Sequence, residues 1–543
     1  MSGKLKAAVI IACVVCIIAA GFAAYAYWNP IRGSNTEEML AEAEEYIRHE
    51  EYNMAANIYM AVIQYDPKNP DGYAGIADAY RYLKRPERAR KFLLQGIKLT
   101  DDSRLPILLE TIEKDIEERE NTADAVIYID DEAFPADSEE LNFEYRELDS
   151  EDLGDLVRFK HLTRLELGYN EISDLSFLSE MKNLKILRLS GNKITDITPL
   201  AELTGLTELY LGDNEIKDIS ALSELSGLEV LELRGSSTED ISALAGLTSL
   251  KNLLLDSCRI KDISAVSNLD ALVSLDLRYN KITDISPLKD LSSLEQLWLG
   301  SNKITDISAL SGLVKLNTLS LNYNSISDLS ALSKMDKLSE LWLGNNKISD
   351  ISPLAGLTGL KRLYINGNGI ADISPIEKLS DLEILDIQHN KLEDVSPLAG
   401  KKTIIHLNCA DNKISDISGL KGLDNVEVFY LSDNRIEDIT ALAEFENLLY
   451  LDIDNNKVTD VSALSGYKNI MFLHMSGNKI EDVSPLSGLH TLRDLLLENN
   501  SIEDPMPLAE LKDLKWLSLK GNDIDKDTVS SLKSELEKCT IYT

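Results

Sequence analysis

Aspartate recurs at one fixed interval through most of the chain, at Asp174, Asp196 and so on to Asp504, over 16 consecutive units. Carboxylates at a regular spacing could bind Ca²⁺, which takes oxygen ligands. In most units Ser or Thr follows two residues later, often with Pro after it, so that the Asp and the Ser or Thr could instead cap a short helix that begins at this proline. The units lack the glycine-rich turns of calcium-binding repeats, so the sequence favours capping over a calcium ladder.

Histidine and cysteine give no further pattern for catalysis or metal binding. The chain has six histidines and five cysteines. His406 and His474 lie three units apart, about 14 Å at strand spacing, which is too far to share a metal ion. Cys258 and Cys409 are about seven units apart, far beyond disulfide reach. Without a zinc spacing, phosphate loop or dinucleotide motif, we expect no enzyme, no cofactor and no metal site.

A second ladder reveals the elements that position these residues. Asparagine fills 15 of the 17 positions at the same interval from Asn170 to Asn522, and Ser236 and Cys258 fill the other two. The pattern L-x-x-L-x-L precedes each one, as at residues 162–167. A short strand in each unit would pair with the next into a parallel sheet, and the rest of the unit would return the chain. We expect each amide to bond to the turns of its own and the next unit.

This register predicts an α/β solenoid with a parallel β-sheet on its concave face. A degenerate first unit spans about residues 143–159, as expected of a cap. At the other end, a helix at 527–538 and a strand at 539–543 would cover the last repeat.

The same register identifies the side chains that face outward. Residues two, four and six positions before each ladder position should project from the sheet. Aromatic residues ringed by charge fit a protein-binding hot spot, and they also fit stacking on sugar rings or simple packing along the sheet. The predicted ligand-binding residues are Trp298, Trp342, Tyr364, Arg278, Tyr279, Tyr323, Glu340, Arg362, Tyr430 and Tyr450.

Two of these residues belong to a second aromatic set nearer the C-terminus, which Phe472 completes. Carboxylates around this set would suit a basic patch on a partner protein. They are Asp386, Asp452 and Asp454.

The motif L-x-x-L-x-L-x-x-N-x-I-x-D-I-S-x-L at residues 338–354 resembles the 22-residue leucine-rich repeat of bacterial internalins. The resemblance covers residues 138–543. It implies a curved surface protein that binds other proteins on its concave face. This chain differs from the family in its predicted N-terminal anchor and its additional helical repeats.

Residues 36–120 contain two units of about 34 residues that resemble tetratricopeptide repeats and a third amphipathic stretch, residues 105–119, that would cap them. An acidic linker follows at 121–137. The two units predict a small all-α domain, which serves either as a spacer or as a peptide-binding or self-association surface. The residues that carry the resemblance are Tyr46, Tyr52, Ala55, Tyr59 and Pro67, and then Tyr73, Ala77, Tyr80, Ala89 and Leu93.

Residues 7–28 are uncharged and almost wholly apolar, and they are long enough to cross a bilayer as a helix. Lys4 and Lys6 precede them, which predicts that residues 1–6 form a cytoplasmic tail and that the rest lies outside. We therefore expect a single-pass transmembrane signal anchor, with cleavage after residues 24–26 as the alternative.

The chain is strongly acidic, with a formal net charge of -36 and a pI near 4.6. Such a surface repels phosphate backbones, which argues against a nucleic-acid partner. We therefore expect a non-catalytic recognition protein at the cell membrane, with extracytoplasmic repeats that bind a protein ligand on the concave face. The alternatives are a cell-envelope scaffold that works through the helical repeats and a carbohydrate-binding module whose ligand is a glycan.

Overall fold

The computed structural model describes residues 36–120 and 126–543. The predicted cytoplasmic tail, residues 1–6, and the predicted membrane anchor, residues 7–28, lie outside the described residues. Within the described ranges, no helix combines the length and the apolar character that crossing a membrane requires.

The described chain divides into two compact units. The first contains the residues up to Ser138 together with Glu151–Lys160, and the second contains Glu139–Ser150 and His161–Thr543. The second unit therefore begins close to residue 138, where we expected the repeats to begin, except that part of the degenerate first repeat groups with the first unit.

Over residues 36–120, the chain forms five α-helices, each packed against the next. Small buried residues such as Ala55, Ala77 and Ala89 allow this close packing. Asn69 begins the third helix, because its side chain accepts hydrogen bonds from two backbone N–H groups ahead of it. The predicted all-α region is thereby confirmed. The helices are α1 (Thr36–Arg48), α2 (Tyr52–Tyr65), α3 (Pro70–Tyr82), α4 (Pro86–Leu99) and α5 (Arg104–Glu120).

Two buried tyrosines fill the core between these helices, and glycines make room for them. A Cβ atom on Gly75 would lie 2.2 Å from the ring of Tyr59, and one on Gly96 would lie 2.6 Å from the ring of Tyr73. The Tyr73 hydroxyl donates a hydrogen bond to the Pro67 carbonyl at 3.1 Å. Any larger residue at either glycine position would therefore collide with a tyrosine ring.

A β-hairpin occupies most of the segment that we expected to be a linker. Its strands are β1 (Val126–Ile129) and β2 (Glu132–Pro135), which pair antiparallel. The Arg88 guanidinium donates to both oxygens of Asp130, at 2.7 and 2.6 Å. Asp131 accepts hydrogen bonds from two backbone N–H groups in the first turn of α4. The acidic residues therefore hold the hairpin to α4 and cap that helix.

The second unit is a solenoid whose short strands pair parallel, each with the strand of the next repeat in chain order. In every strand of this sheet except the last, the middle residue is buried, and its two neighbours face outward. The predicted parallel sheet is confirmed. Its strands are β3 (Glu140–Asn142), β4 (Arg164–Glu166), β5 (Ile186–Arg188), β6 (Glu208–Tyr210), β7 (Val230–Glu232), β8 (Asn252–Leu254), β9 (Ser274–Asp276), β10 (Gln296–Trp298), β11 (Thr318–Ser320), β12 (Glu340–Trp342), β13 (Arg362–Tyr364), β14 (Ile384–Asp386), β15 (His406–Asn408), β16 (Val428–Tyr430), β17 (Tyr450–Asp452), β18 (Phe472–His474), β19 (Asp494–Leu496), β20 (Trp516–Ser518) and β21 (Thr540–Tyr542).

Short 3₁₀ helices return the chain between strands. Each contains a buried leucine, isoleucine or valine. They lie at Ser150–Arg158, Ser176–Glu180, Thr198–Leu200, Ser220–Leu222, Ser242–Gly246, Ser264–Asn268, Ser286–Leu288, Ser308–Gly312, Ser330–Leu332, Ser352–Gly356, Ser374–Lys378, Ser396–Leu398, Ser418–Leu420, Thr440–Glu444, Ser462–Leu464, Ser484–Leu486 and Met506–Glu510.

The asparagine ladder joins neighbouring repeats through backbone hydrogen bonds. Asn192 Nδ2 donates at 2.9 Å to the carbonyls of Leu167, in the preceding repeat, and Leu189, in its own. Its Oδ1 accepts a hydrogen bond from the Ile172 N–H at 3.0 Å. Each amide therefore binds its own and the preceding repeat, whereas we expected the next one.

The aspartate ladder caps the 3₁₀ helices. Asp284 Oδ1 accepts a hydrogen bond from the Ser286 N–H at 2.8 Å, and this bond lowers the pKa of the carboxyl. The Ser286 hydroxyl donates to the other carboxylate oxygen at 3.0 Å, so only the aspartate caps. Among the described residues, no three His, Cys, Asp or Glu side chains are grouped so that they could hold a metal ion.

The C-terminal end of the solenoid carries a helix and a final strand, close to the ranges that we expected. The helix, α6, spans Lys526–Glu535. Asp525 caps it by accepting hydrogen bonds from the Asp527 and Thr528 N–H groups at 2.9 Å. Strand β21 then pairs with β20 and extends the sheet by one strand.

Candidate functional site on the outward face of the sheet

The residues on either side of each buried strand centre line up across the sheet. In β12, Leu341 is buried, while Glu340 and Trp342 are partly exposed on the other face. The parallel register places Trp342 beside Tyr364 and Glu340 beside Arg362. We call this surface the sheet face: the residues two, four and six positions before each ladder position.

The predicted tryptophan row is broken by one strand. Trp342 and Tyr364 stack with ring centroids 5.6 Å apart and an interplanar angle of 2°. Trp298, however, pairs with Ser320, which in turn pairs with Trp342. Ser320 is only 5% exposed, and its hydroxyl donates to Asn322 Oδ1 at 2.6 Å. The row therefore consists of one stacked pair and a separate tryptophan.

Two of the predicted tyrosines lie at the edge of the sheet face. Tyr279 and Tyr323 are 61% and 58% exposed. Both occupy the position just before the ladder residue, where the backbone has a positive φ in every repeat. Large residues rarely adopt this conformation, which costs on the order of 1 kcal/mol. The solenoid thus holds two bulky, exposed rings where Gly or Asn would be less strained.

The predicted charged residues pair with one another or with neighbours. Arg278 Nε donates to both oxygens of Asp276 at 3.0 Å. Arg362 forms an ion pair with Glu340 across β12 and β13. These ion pairs neutralise Arg278 and Arg362, whereas Asp386, which the register places beside Tyr364, has no such partner on the sheet face.

The second aromatic set forms a continuous cluster. His406 contacts Tyr430 at 5.6 Å between ring centroids, and Tyr430 contacts Tyr450 at 4.9 Å. Tyr450 in turn contacts Phe472 at 6.1 Å and His474 at 5.1 Å. We call these five residues the ring cluster. They span four adjacent strands and remain partly exposed.

A hydrogen bond joins two members of the ring cluster. Tyr450 Oη lies 3.0 Å from His474 Nδ1, and His474 Nε2 lies 3.7 Å from Asp494 Oδ1. Burial and nearby carboxylates, Asp452 first among them, raise the pKa of the Tyr450 hydroxyl, which therefore stays protonated. Burial also lowers the pKa of His406. Both shifts favour the neutral forms of these two side chains.

Carboxylates adjoin the ring cluster on the same face. Asp452 accepts hydrogen bonds from the Ser432 hydroxyl at 2.9 Å and from the Asp454 N–H at 3.0 Å. Asp454 in turn accepts one from the Ser476 N–H at 2.5 Å. Burial, and then the charge of Asp452, raise the pKa of Asp454 to about 6. Glu498 is a further source of negative charge near Asp454.

The predicted second aromatic set contained three of these five rings and lacked His406 and His474. His406, Tyr450 and Phe472 lie six positions before a ladder residue, whereas Tyr430 and His474 lie four before. Because these two columns lie on the same face of adjacent strands, the register alone would have placed the two histidine rings beside the predicted set. His406 and His474, which we assessed only as metal ligands, contribute their rings to the cluster.

Sequence models of known families match the repeats. A model described as "Leucine Rich repeats (2 copies)" matches residues 160–202, 248–289, 270–313, 314–356, 358–400 and 402–444. A second model, described as "Leucine rich repeat", matches residues 182–237 and 204–260. No curated protein matches the chain.

Solved structures resemble this one. An internalin, InlF from Listeria monocytogenes, is 31% identical, with 62% of this chain and 87% of that chain covered and a TM-score of 0.48. A leucine-rich repeat protein of Leptospira interrogans is 24% identical, covering 75% and 96% of the two chains, with a TM-score of 0.57. The plant peptide hormone receptor RGFR1, in complex with RGF2, is 20% identical, covering 72% and 67%, with a TM-score of 0.61.

Proposed function

We propose that this chain, which belongs to the leucine-rich repeat proteins, is a non-catalytic recognition protein that binds a protein partner on the sheet face. The observation that carries the proposal is the ring cluster. Its rings contact one another across four strands while each keeps part of its surface exposed. Large rings held in place offer apolar area at a small entropic cost, as the hot spots of protein interfaces do.

The comparisons support a polypeptide as the class of partner. RGFR1, whose repeat sheet resembles this one, is a peptide hormone receptor whose structure contains RGF2. A parallel sheet that exposes aligned side chains suits an extended or rigid polypeptide, because the columns repeat at strand spacing.

We place the centre of the binding surface at the ring cluster, on the predicted concave side. The Trp342–Tyr364 pair extends it towards the N-terminal end of the sheet. The other predicted residues supply further contacts around that pair; they are Trp298, Arg278, Tyr279, Tyr323, Glu340 and Arg362.

Selection of binding peptides tests this proposal. The full chain is immobilised and a phage-displayed library of random peptides of about 12 residues is selected on it. We expect the recovered peptides to lose affinity for a Tyr430→Ala, Phe472→Ala double variant and to keep it for Tyr65→Ala. Tyr65 is an exposed tyrosine in the helical unit, 73% accessible, so it is a matched control.

Equal binding to the double variant and to the native chain, with both correctly folded by circular dichroism, would refute the ring cluster as the site. Binding to a glycan array instead, with no peptides recovered, would replace the protein partner with a carbohydrate.

The helical unit supports a second candidate function, that of a scaffold working through tetratricopeptide-like repeats. Its helices border a cavity of about 540 Å³, whose lining includes Leu40, Tyr59, Ala74 and Tyr82. If this cavity is the working surface, Ala74→Glu should abolish complex formation in cells while the ring-cluster variant leaves it intact.

We also propose that residues 7–28 anchor the chain in a membrane with the repeats outside the cytoplasm. The uncharged apolar run and the lysines before it support this orientation. Protease treatment of intact cells tests it, because we expect the repeats to be digested. Full protection, with digestion only after lysis, would place the repeats inside.

A further inference from the structure

Ion pairs neutralise the N-terminal part of the sheet face. From β4 to β13, arginines lie beside most of the carboxylates, so few charged side chains there lack a neighbour of opposite charge. The pairs are Arg164–Glu166, Arg188–Glu166 at 3.4 Å, Arg234–Glu232 at 3.6 Å, Arg278–Asp276 at 2.5 Å and Arg362–Glu340.

The C-terminal part of the sheet face has a different composition. After Arg362, its three columns contain no Arg or Lys until Lys520. Over the same stretch they contain five carboxylates. A basic side chain lies near one of them, because His474 Nε2 is 3.7 Å from Asp494 Oδ1. The five are Asp386, Asp452, Asp454, Asp494 and Glu498.

Hydrogen bonds from neutral groups hold three of these carboxylates in place. Asp452 accepts from the Ser432 hydroxyl and Glu498 from the Ser518 hydroxyl, at 2.9 and 2.5 Å. Asp454 accepts from the Ser476 N–H. These donors orient the oxygens but bring no positive charge, so the negative charges of Asp452, Asp454 and Glu498 reinforce one another.

These carboxylates stand beside apolar rings. Asp452 follows Tyr450 by two residues on β17, so both side chains are on the sheet face about 6.6 Å apart. The register also places Asp452 between Tyr430 and His474. An extended peptide presents its residues i and i+2 on one side at the same spacing.

We propose that the partner is an extended polypeptide segment in which a Lys or Arg lies over Asp452, Asp454 and Glu498 while an aromatic or aliphatic residue two positions away packs on the ring cluster. This inference rests on the proposed function and narrows it to one partner chemistry. On the N-terminal part of the sheet face, arginines of the chain itself neutralise most carboxylates. On the C-terminal part, the cation of the partner supplies this counter-charge. The rings then bury the apolar neighbour of that cation.

The elevated pKa of Asp454 agrees with this placement. Burial raises it first, and Asp452, Asp433 and Glu498 all add to that effect. A bound ammonium or guanidinium group would oppose all of these effects at once, because it favours the ionised carboxylate.

The peptides selected on the full chain test the inference. We expect them to be enriched in Lys or Arg two residues from an aromatic or aliphatic residue. A synthetic peptide of the most frequent sequence should bind an Asp452→Asn, Asp454→Asn double variant about tenfold more weakly or worse. The control is Glu232→Gln with Asp276→Asn, whose carboxylates already have arginine partners; it should change the affinity less than about twofold.

Each contrary outcome is distinguishable. Peptides that need the ring cluster but show no enrichment in Lys or Arg would overturn this inference and leave the proposed function standing. Peptides that bind regardless of the ring cluster would overturn both. Binding that requires added CaCl₂ and is lost in EDTA would show that the carboxylates hold a metal ion, which also contradicts the inference.

Discussion

Tyr450 and His474 are linked across two neighbouring strands, with Tyr450 Oη 3.0 Å from His474 Nδ1. On the other side of the imidazole ring, His474 Nε2 lies 3.7 Å from Asp494 Oδ1. Three side chains on β17, β18 and β19 are therefore arranged in sequence. The arrangement holds two rings of the proposed binding surface in fixed positions before any partner arrives.

Replacing Tyr450 with Phe separates the role of this hydrogen bond from that of the ring. We expect Tyr450→Phe to cost about 0.5–1.5 kcal/mol in the free energy of unfolding and to weaken peptide binding by only a few fold. Tyr450→Ala should weaken binding far more, because it removes the ring itself. Urea denaturation and calorimetric titration measure the two effects. If both variants bound equally weakly, the orientation of the ring would matter more than its area.

Asp454 should make stability depend on pH. Its folded-state pKa of about 6 exceeds the unfolded value of about 3.9, so the folded chain binds more protons between these values. The free energy of unfolding therefore falls as pH rises through this window. We expect Asp454→Asn to melt at a higher temperature than the native chain near pH 7.5, and the gain to vanish near pH 4.

An aspartate of the capping ladder should show the opposite sign. The pKa of Asp284 is lowered by its hydrogen bond to the Ser286 N–H. The ionised carboxylate therefore stabilises the fold above the unfolded pKa, and this contribution is lost as pH falls through the folded pKa. Asp284→Ala should lower the melting temperature near pH 7.5, by less as the pH is reduced. An increase would mean that repulsion along the ladder outweighs capping.

Asn302 tests the value of the asparagine ladder. Its amide donates to the carbonyls of Leu277 and Leu299 and accepts from the Ile282 N–H, at 2.9–3.0 Å. Because Asn302→Ala leaves these backbone groups without a partner, we expect a loss of about 2–3 kcal/mol in urea denaturation. Ser236→Ala should cost less than about 1 kcal/mol, because Ser236 Oγ bonds mainly to the Thr238 hydroxyl at 3.0 Å. Equal losses would contradict this ranking.

Lys401 occupies a buried position that hydrophobic residues fill in neighbouring repeats, such as Leu379 and Leu423. It is 7% exposed, and its Nζ donates to the carbonyls of Glu377 and Leu379 at 3.2 and 2.8 Å. Burial lowers its pKa, so the charged form costs stability near neutral pH. We expect Lys401→Leu to add about 1–2 kcal/mol to the free energy of unfolding at pH 7.

The gain from Lys401→Leu should shrink as the pH approaches 10. The stability of the native chain rises with pH between the lowered folded pKa and the unfolded value of about 10.4, because the unfolded chain binds more protons there. Denaturation of both chains at neutral and alkaline pH measures the difference. A constant gain would mean that packing, and not charge, explains it.

The repeats could be predicted because one spacing determines them. The residue pattern around Leu341 and Asn346 recurs in unit after unit, so the strand, its buried centre and the turn follow from the period alone. The break in the tryptophan row could also be predicted from the sequence, since Ser320 lies between Trp298 and Trp342 in the same column. These features need no knowledge of side-chain conformation.

Other features depend on contacts that a period does not specify. The rings of Tyr430 and Tyr450 start from different columns and meet only through their side-chain conformations. The acidic turn of the hairpin was predicted to be a linker. Its carboxylates bind Arg88 and the first turn of α4, which lie far earlier in the chain, so the local sequence does not show these partners. Whether the ladder amide binds the preceding or the next repeat likewise depends on which carbonyl lies within hydrogen-bond distance.

The uninterrupted repeat spacing makes the distance between the two aromatic regions adjustable in discrete steps. Tyr364 and Tyr430 are three repeats apart, or about 14 Å. Because each repeat bonds only to its neighbours, excising one whole repeat between them would leave the backbone groups and ladder asparagines of the flanking repeats with equivalent partners. The two regions would approach by about 4.8 Å. Gain or loss of repeats by recombination could therefore fit the same two contact surfaces to partners of different length.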